Sequence, residues 1–349
     1  MPSLGNLFFK IGADTSQAAS SLKRLEDQIN GTVKNVGSIG KLVGGALSAA
    51  GLLEIGRQAL IASSQFETAF LRIKNLTGAT TKDIEKYKSS LRGISSEVGQ
   101  PIARLTEGLY TITSSGLKGA AALETLRIAA KASAVGMGET ETIARTISAT
   151  LNAYGKENIS AASAANIFFN TTKLGALDVA ELAPAMGSVL GVASVLGIKL
   201  EQLGGFVASL SLQGINASEA VTSLRAIIDA MINPSQEAEK VLKGVGLSME
   251  YIRNIAKKDL SQALRTVSEA FNGNETAIAK VLGRKEAITG FLAVTGQNFQ
   301  RYSDILKQVS TDTTSFEQAS AEALNSTEAR WNKLTATVKN LSLGLADLF

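Results

Sequence analysis

The sequence predicts an all-α fold: an array of antiparallel helices with Gly-punctuated turns, opened by a short N-terminal strand and closed by a coiled-coil-like helix. Three observations lead there. Among 349 residues only 5% are aromatic, while Ala, Leu, Ser and Gly dominate, a composition suited to helices packed through small side chains. Apolar residues recur at three- and four-residue spacing along most of the chain. A Gly followed by an apolar residue, and usually by an acid two to five positions after the Gly, interrupts that periodicity repeatedly.

The chain divides into three segments, 1–62, 63–310 and 311–349. In the first, Leu7, Phe9 and Ile11 alternate with Phe8 and Lys10, a strand signal that Gly12 ends. Asp14 and Gln17 have the spacing of a capping box. Leu22, Leu25, Ile29, Val33 and Val36 then form the apolar stripe of an amphipathic helix. Gly37, Gly40, Gly44, Gly45 and Gly51 follow, in a stretch that reads either as a flexible joint or as a tightly packed small-residue helix. The N-terminus lacks the basic region and unbroken apolar run of a secretory signal.

The second segment opens with a helix carrying Phe66, Ala69, Phe70 and Ile73 on one side and ending at Gly78. Thr80 or Thr81 caps the next helix, through Ile84, Tyr87 and Leu91. The punctuation then appears at Gly136-Met137 with Glu139, Gly175-Ala176 with Asp178 and Gly197-Ile198 with Glu201. It returns at Gly214-Ile215 with Glu219 and Gly246-Leu247 with Glu250; Gly116-Leu117 and Gly155 are partial members. Its physics is specific: Gly takes the left-handed conformation that closes a helix, and the next apolar side chain folds back on the last turn. The acid then sits where exposed N–H groups favour negative charge. From Gly116 to Gly136, Gly155 and Gly175 the steps are 20, 19 and 20 residues, one helix and one tight turn each. No residue code recurs inside these helices, so the segment reads as an array and not as a solenoid repeat. Ile143, Ile147, Leu151 and Tyr154 form one stripe, and Val221, Leu224, Ile228 and Met231 another. Asn233 is expected to cap a helix with Pro234 at its first position and Gln236 completing the box; Asp259 with Gln262, and Thr314 with Glu317, mark two more starts.

At the centre lies Leu182–Ser218, where only Lys199 and Glu201 carry charge. Each uncharged arm has the length of a long helix but falls short of a typical membrane span. Two readings follow, a buried helical hairpin in the core and a hairpin that inserts into a bilayer. Pro184 and frequent Gly and Ser favour the first.

The last segment changes character. Leu324, Thr327, Trp331, Leu334, Val338, Leu341, Leu345 and Leu348 alternate three- and four-residue steps, the seam of a coiled coil. The seam runs to Phe349 without a stop signal. It reads either as the start of an extended heptad helix that has been cut or as a terminal helix docked on its own domain.

The composition also excludes chemistry. With no Cys and no His, the chain has no disulfide, no Cys/His zinc site, no Ser-His-Asp or Cys-His triad and no imidazole acid–base group. Gly136-Met137-Gly138 lacks the third glycine and preceding strand of a dinucleotide fingerprint, and Gly283-Arg284-Lys285 has no upstream P-loop. The acids sit at helix starts or on polar faces, where capping and solvation explain them. Arg284, Lys285 and Glu286 read as a solvated face. Net charge is a mild +4 with no basic tract and no interleaved aromatics, which argues against sequence-specific nucleic-acid binding. No catalytic, cofactor-binding or metal-binding residue is expected, and no enzymatic activity.

Several segments occur in a telling order. They run from Lys10-Ile11-Gly12-Ala13-Asp14 and Phe66-Glu67-Thr68-Ala69 through Glu107-Gly108-Leu109 and Ser115-Gly116 to Ala129-Ala130 and Val135-Gly136. Leu196-Gly197-Ile198, Leu203 to Leu210, Gly214-Ile215, Ala217-Ser218-Glu219-Ala220, Leu224-Arg225 and Pro234 follow, then Gly246-Leu247-Ser248 and Leu282-Gly283-Arg284-Lys285-Glu286-Ala287. This order resembles the core region of phage tail tape measure proteins of long-tailed bacteriophages and prophages, most tightly from Phe66 to Ala293.

The resemblance implies a structural virion protein that fills the tail tube, sets tail length during assembly and is released at genome ejection. It implies the tail tube protein, tail assembly chaperones and tail-tip proteins as partners, a homo-oligomer in the tail lumen, and host membrane contact at ejection. The implied location is the tail lumen of the virion, reached from the host cytoplasm during assembly. Such proteins are usually much longer, and ending at Phe349 fits a fragment or a decayed prophage gene. As one helix the chain would span at most roughly 520 Å. The Gly turns forbid that, so a ruler would begin with the seam after Thr314. The competing expectation is a membrane-active helical protein inserting the 182–218 hairpin.

Overall fold

The computed structural model describes residues 66–346. The N-terminal strand, the helix after Asp14 and the Gly-rich joint lie outside the described residues, as does the chain beyond Ala346. Helix α1, over 66–77, buries Phe66, Phe70 and Ile73, with the two rings edge to face at 4.7 Å. Thr80 opens α2 (Thr81–Val98) with a full capping box: its hydroxyl accepts from Asp83 N while the Asp83 carboxylate accepts from Thr80 N. Then come α3 (Ile102–Ser114), α4 (Gly119–Ala134), α5 (Thr140–Tyr154), α6 (Ala161–Gly175), α7 (Val179–Leu196), α8 (Leu200–Ser211) and α9 (Ala217–Ile232).

The turns follow the expected chemistry. Gly136, Gly197, Gly214 and Gly246 all take positive φ. In each case the following apolar residue donates its N–H to the carbonyl five positions back, as Met137 does to Ala132 and Ile198 to Ala193, both at 3.0 Å. Gly175 departs from this role. The left-handed residue there is Ala176 at φ 51°, and Leu177 donates to Thr172 at 3.1 Å. Gly175 stays inside α6, where a Cβ would lie 2.8 Å from the Ala208 Cα, so close helix approach is what requires glycine. One expected cap also shifts, and another holds its place by different bonds. Asn233 ends α9, and Ser235 caps α10 (Gln236–Gly244) by accepting from Ala238 N at 3.0 Å. Thr314 is the N-cap as expected but makes no side-chain bond: the Phe316 N–H goes to Asn166 Oδ1 at 3.1 Å, while the Asp312 carboxylate accepts from Thr314 N and Ser315 N at 3.1 and 3.0 Å.

Sequence neighbours reverse direction, yet for most helices of the stack a main packing partner lies two helices apart, α4 alone packing more on its neighbours α3 and α5. α3 packs on α5, α5 on α7 and α7 on α9, while α4 packs on α6 and α6 on α8. Paired residues show that stacked helices run alike. Thr146 of α5 meets Ala183 of α7, and further along Tyr154 donates to the Ile198 carbonyl at 2.9 Å just past the end of α7. Gly204 of α8 likewise abuts Thr171 of α6, and Ala208 abuts Gly175. The middle of the chain is therefore a two-layer stack in which each step is a helix pair, two of the roughly 20-residue intervals seen in the sequence.

After α10 the chain makes short helices α11 (Met249–Ala256), α12 (Leu260–Ala270) and α13 (Glu275–Leu282). α14 (Lys285–Val294) then crosses back antiparallel to α9, with Arg284 beside Asp229 and Gly290 against Ser223. A 3-10 turn at Gly296–Asn298 leads to α15 (Phe299–Thr311), which packs along α8. α16 (Ser315–Asn325) covers α4 and α6, and α17 (Thr327–Ala346) lies on α2. The C-terminal seam divides. Leu324 and Leu334 are buried, whereas Trp331 is 44% exposed. Asn340 donates to the Arg92 carbonyl at 3.1 Å, and Gly99 sits against Asn332 and Lys333, so the described part of α17 packs on its own module.

Candidate functional surfaces

The α7–α8 hairpin is the structural centre. Leu203, Phe206, Val207, Ala208 and Leu210 of α8 are fully buried. Two glycines let neighbouring helices approach this one. Gly204 faces Thr171 with no room for a Cβ, and a Cβ on Gly205 would lie 2.9 Å from the Leu306 Cα of α15. Phe206 meets Tyr302 edge to face at 6.1 Å, and a Cβ on Gly290 of α14 would come within 3.2 Å of the Phe206 ring. Extracting α8 into a bilayer would undo all of these contacts. Among the described residues no helix is long and apolar enough to cross a membrane. The second arm of the uncharged run is core, as the Pro, Gly and Ser content of the run suggested.

The first arm is less buried than its composition implied. One face of α7, with Leu182, Met186, Val189, Leu190 and Ala193, is buried. The other exposes Pro184, Gly187, Ser188 and Gly191, with Val195 81% exposed. Small residues left the helix readable as buried because no charged residue marked its outer face beyond Glu181.

Motifs far apart in sequence meet at Asp229. Its carboxylate pairs with Arg225 at 4.0 Å and with Arg284 at 3.7 Å. Arg284 is solvated, as expected, but it also has this partner. Each side chain is about a third or more exposed, so the cluster registers α14 against α9 more than it stabilises the fold.

A second junction was missed in the sequence. Asn166 and Asn170 of α6 donate to the Asp312 carbonyl at 2.5 and 2.9 Å, and Asn166 accepts from Phe316 N at 3.1 Å. This clasp holds the α15–α16 turn on α6. The available signal was a pair of Asn residues at i, i+4 spacing within the run Ala164–Thr172, rich in Ala and Phe. Hydrogen bonding from the Ser315 hydroxyl holds the Asp312 carboxyl below its ordinary range, with help from backbone N–H groups and the Lys173 charge.

Among the described residues no three Asp or Glu converge as metal ligands. An apolar cavity of about 10 Å³, lined by Met231, Leu242, Met249, Ile252, Leu264 and Phe291, has no more room than a single water. The buried Tyr302 hydroxyl has no hydrogen-bond partner; burial pushes it well up, with the Asp259 charge adding to the shift. Burial, then the Glu201 charge, does the same to Tyr154.

Comparison with known proteins gives a consistent lineage. The family model described as phage-related minor tail protein matches residues 88–290, from within α2 to within α14. The chain is 25% identical over 343 residues to the "Probable tape measure protein" of Clostridium phage phiCD119, covering 94% of this chain and 35% of that protein. It is 21% identical over 185 residues to the "Tape measure protein" of Pneumococcus phage Dp-1, covering 53% of this chain and 16% of that one. The chain thus spans about a third of the first relative's length and less of the second's. No solved structure matches. The family match covers more than half of the chain and takes in the whole α3–α9 stack, so this chain belongs to the phage-related minor tail protein family.

Proposed function

We propose that this chain is the folded core of a tape measure protein, a non-enzymatic structural component housed in the lumen of the phage tail. One observation carries the reading: the likeness to a tape measure protein extends over 94% of a chain whose described residues are packed back on themselves. A two-layer stack cannot measure length by extension, since only an unfolded-back helix gains about 1.5 Å per residue. The core therefore acts as a compact end-piece, and length is set by helical chain elsewhere in the parent protein. Its partners are the tail tube protein, the tail assembly chaperones and the tail-tip proteins, with several copies sharing one lumen. It enters the tail from the host cytoplasm during assembly and leaves, past the host membrane, at genome ejection.

Mass spectrometry of purified virions tests this directly. Peptides from 66–346 should be present in intact tails and depleted from tails that have ejected their genome. Their absence from intact tails would overturn the reading. A cell-wall turbidity assay checks the non-enzymatic part, and clearing by the purified chain would contradict it.

A further inference from the structure

Opposite edges of the two-layer stack carry unlike charge. The turns α3→α4, α5→α6 and α7→α8 bear the exposed Lys118, Lys156 and Lys199. At the same end Lys257 lies over Gly197, its Cγ 3.4 Å from where a Cβ would stand. Its neighbour Lys258 is fixed by Gln202, which donates to the Lys258 carbonyl at 2.9 Å. Lys118 spends one hydrogen bond on the Thr77 carbonyl, at 3.1 Å. At the other end the α4→α5 and α6→α7 turns bear the exposed Glu139 and Asp178, and the first turns of α9 and α7 carry the exposed Glu219 and Glu181.

Local counter-charges do not cancel either edge. The lysine edge also holds Glu157, Glu201 and Asp259, the last engaged in capping α12. On the acidic edge Arg104 stands 3.5 Å from Glu139, both side chains more than half exposed, and Lys173 turns toward the Ser315 hydroxyl. Both rows also share one pitch. The same stacked helices carry a lysine turn at one end and an acidic turn at the other, so each step advances both rows by one interhelical spacing of about 10 Å.

We propose that these edges form a head-to-tail interface between copies of this chain, with the row Lys118, Lys156, Lys199 of one copy facing the row Glu139, Asp178, Glu219 of the next. Equal pitch lets several pairs form in one register, which exposed ion pairs seldom achieve singly. The two surfaces differ, so the contact is heterologous and adds copies in a row instead of closing a twofold dimer. The inference stands on charge and geometry alone and does not depend on the tail role.

Sedimentation of the full 349-residue chain tests it. Self-association should be at least about tenfold weaker at about 500 mM salt than at about 50 mM. The triple variant K118E/K156E/K199E presents two acidic edges, and E139K/D178K/E219K two basic ones. Each alone should stay monomeric at low salt, and mixing them should restore association. A matched-charge control, K240E/K243E/K307E, should associate like the parent. Circular dichroism checks that the variants keep their helicity. If a triple variant does not fold, Lys199→Gln and Glu219→Gln replace it, and each should weaken association. A parent chain that is monomeric at low salt overturns the proposal, as do folded edge variants that still self-associate or a mixture that does not.

Discussion

Gly175 and Ala208 bring α6 and α8 together backbone to backbone: a Cβ on Gly175 would lie 2.8 Å from the Ala208 Cα. No rotamer change relieves such a contact, so Gly175→Ala should destabilise the chain by about 1–3 kcal/mol in urea unfolding. Gly205→Ala, blocked by the Leu306 backbone, should behave alike. Gly187→Ala is the contrast. Open space surrounds that exposed helical position, and the substitution should be neutral or stabilise by about 0.5–1 kcal/mol.

The left-handed Ala176 gives a prediction of opposite sign. At φ 51° a Cβ is strained, so Ala176→Gly should stabilise by about 1 kcal/mol. At Gly197, with φ 74°, an alanine should cost about as much. Thermal melts of the pair would show Tm shifts in opposite directions.

Asn166 closes the clasp that docks α16. Asn166→Ala leaves the Phe316 N–H without its acceptor, which should cost about 1–3 kcal/mol. Limited proteolysis near 312–314 should speed up with it. Unchanged cleavage would show that packing alone holds the turn.

Among the groups with shifted pKa values, Asp312 and Tyr302 give a pH dependence on the acid and the alkaline side. The carboxyl of Asp312 is lowered from 3.8 in the folded chain, so its contribution is complete above that value and is lost as pH falls through the folded pKa. Asp312→Asn should therefore flatten the acid side of the stability profile. Tyr302 is raised from 10.0, so its contribution is complete below pH 10 and is lost as pH rises toward the folded pKa. Its tyrosinate absorbance should appear only with unfolding. Because the hydroxyl is unpartnered, Tyr302→Phe should stabilise by about 1 kcal/mol at neutral pH.

The sequence showed those features that act locally. Turn glycines such as Gly136, Gly197, Gly214 and Gly246 were legible because a left-handed C-cap and its following apolar residue form a motif of a few positions. Gly175 was misassigned because a turn glycine and a contact glycine look alike until α8 is placed beside it. The stacking of α5 on α3 and α7 was hidden for the same reason: helical period gives a face, not a neighbour. α7 and α8 looked equally buried in composition, and only packing separated the open face of Gly187 and Gly191 from the enclosed Gly204 and Gly205. The Asn166–Asp312 clasp spans 146 residues of sequence and could not be seen from either end.

Tail length in the electron microscope tests the division between folded core and ruler most directly. In a complete parent gene, removing whole heptads from the helical region downstream of this core should shorten tails by about 10 Å per heptad. Removing the α10–α13 segment should instead block tail assembly without producing shorter tails. Tails of unchanged length after the heptad deletions, or tails shortened in proportion to residues removed from the core, would contradict the account.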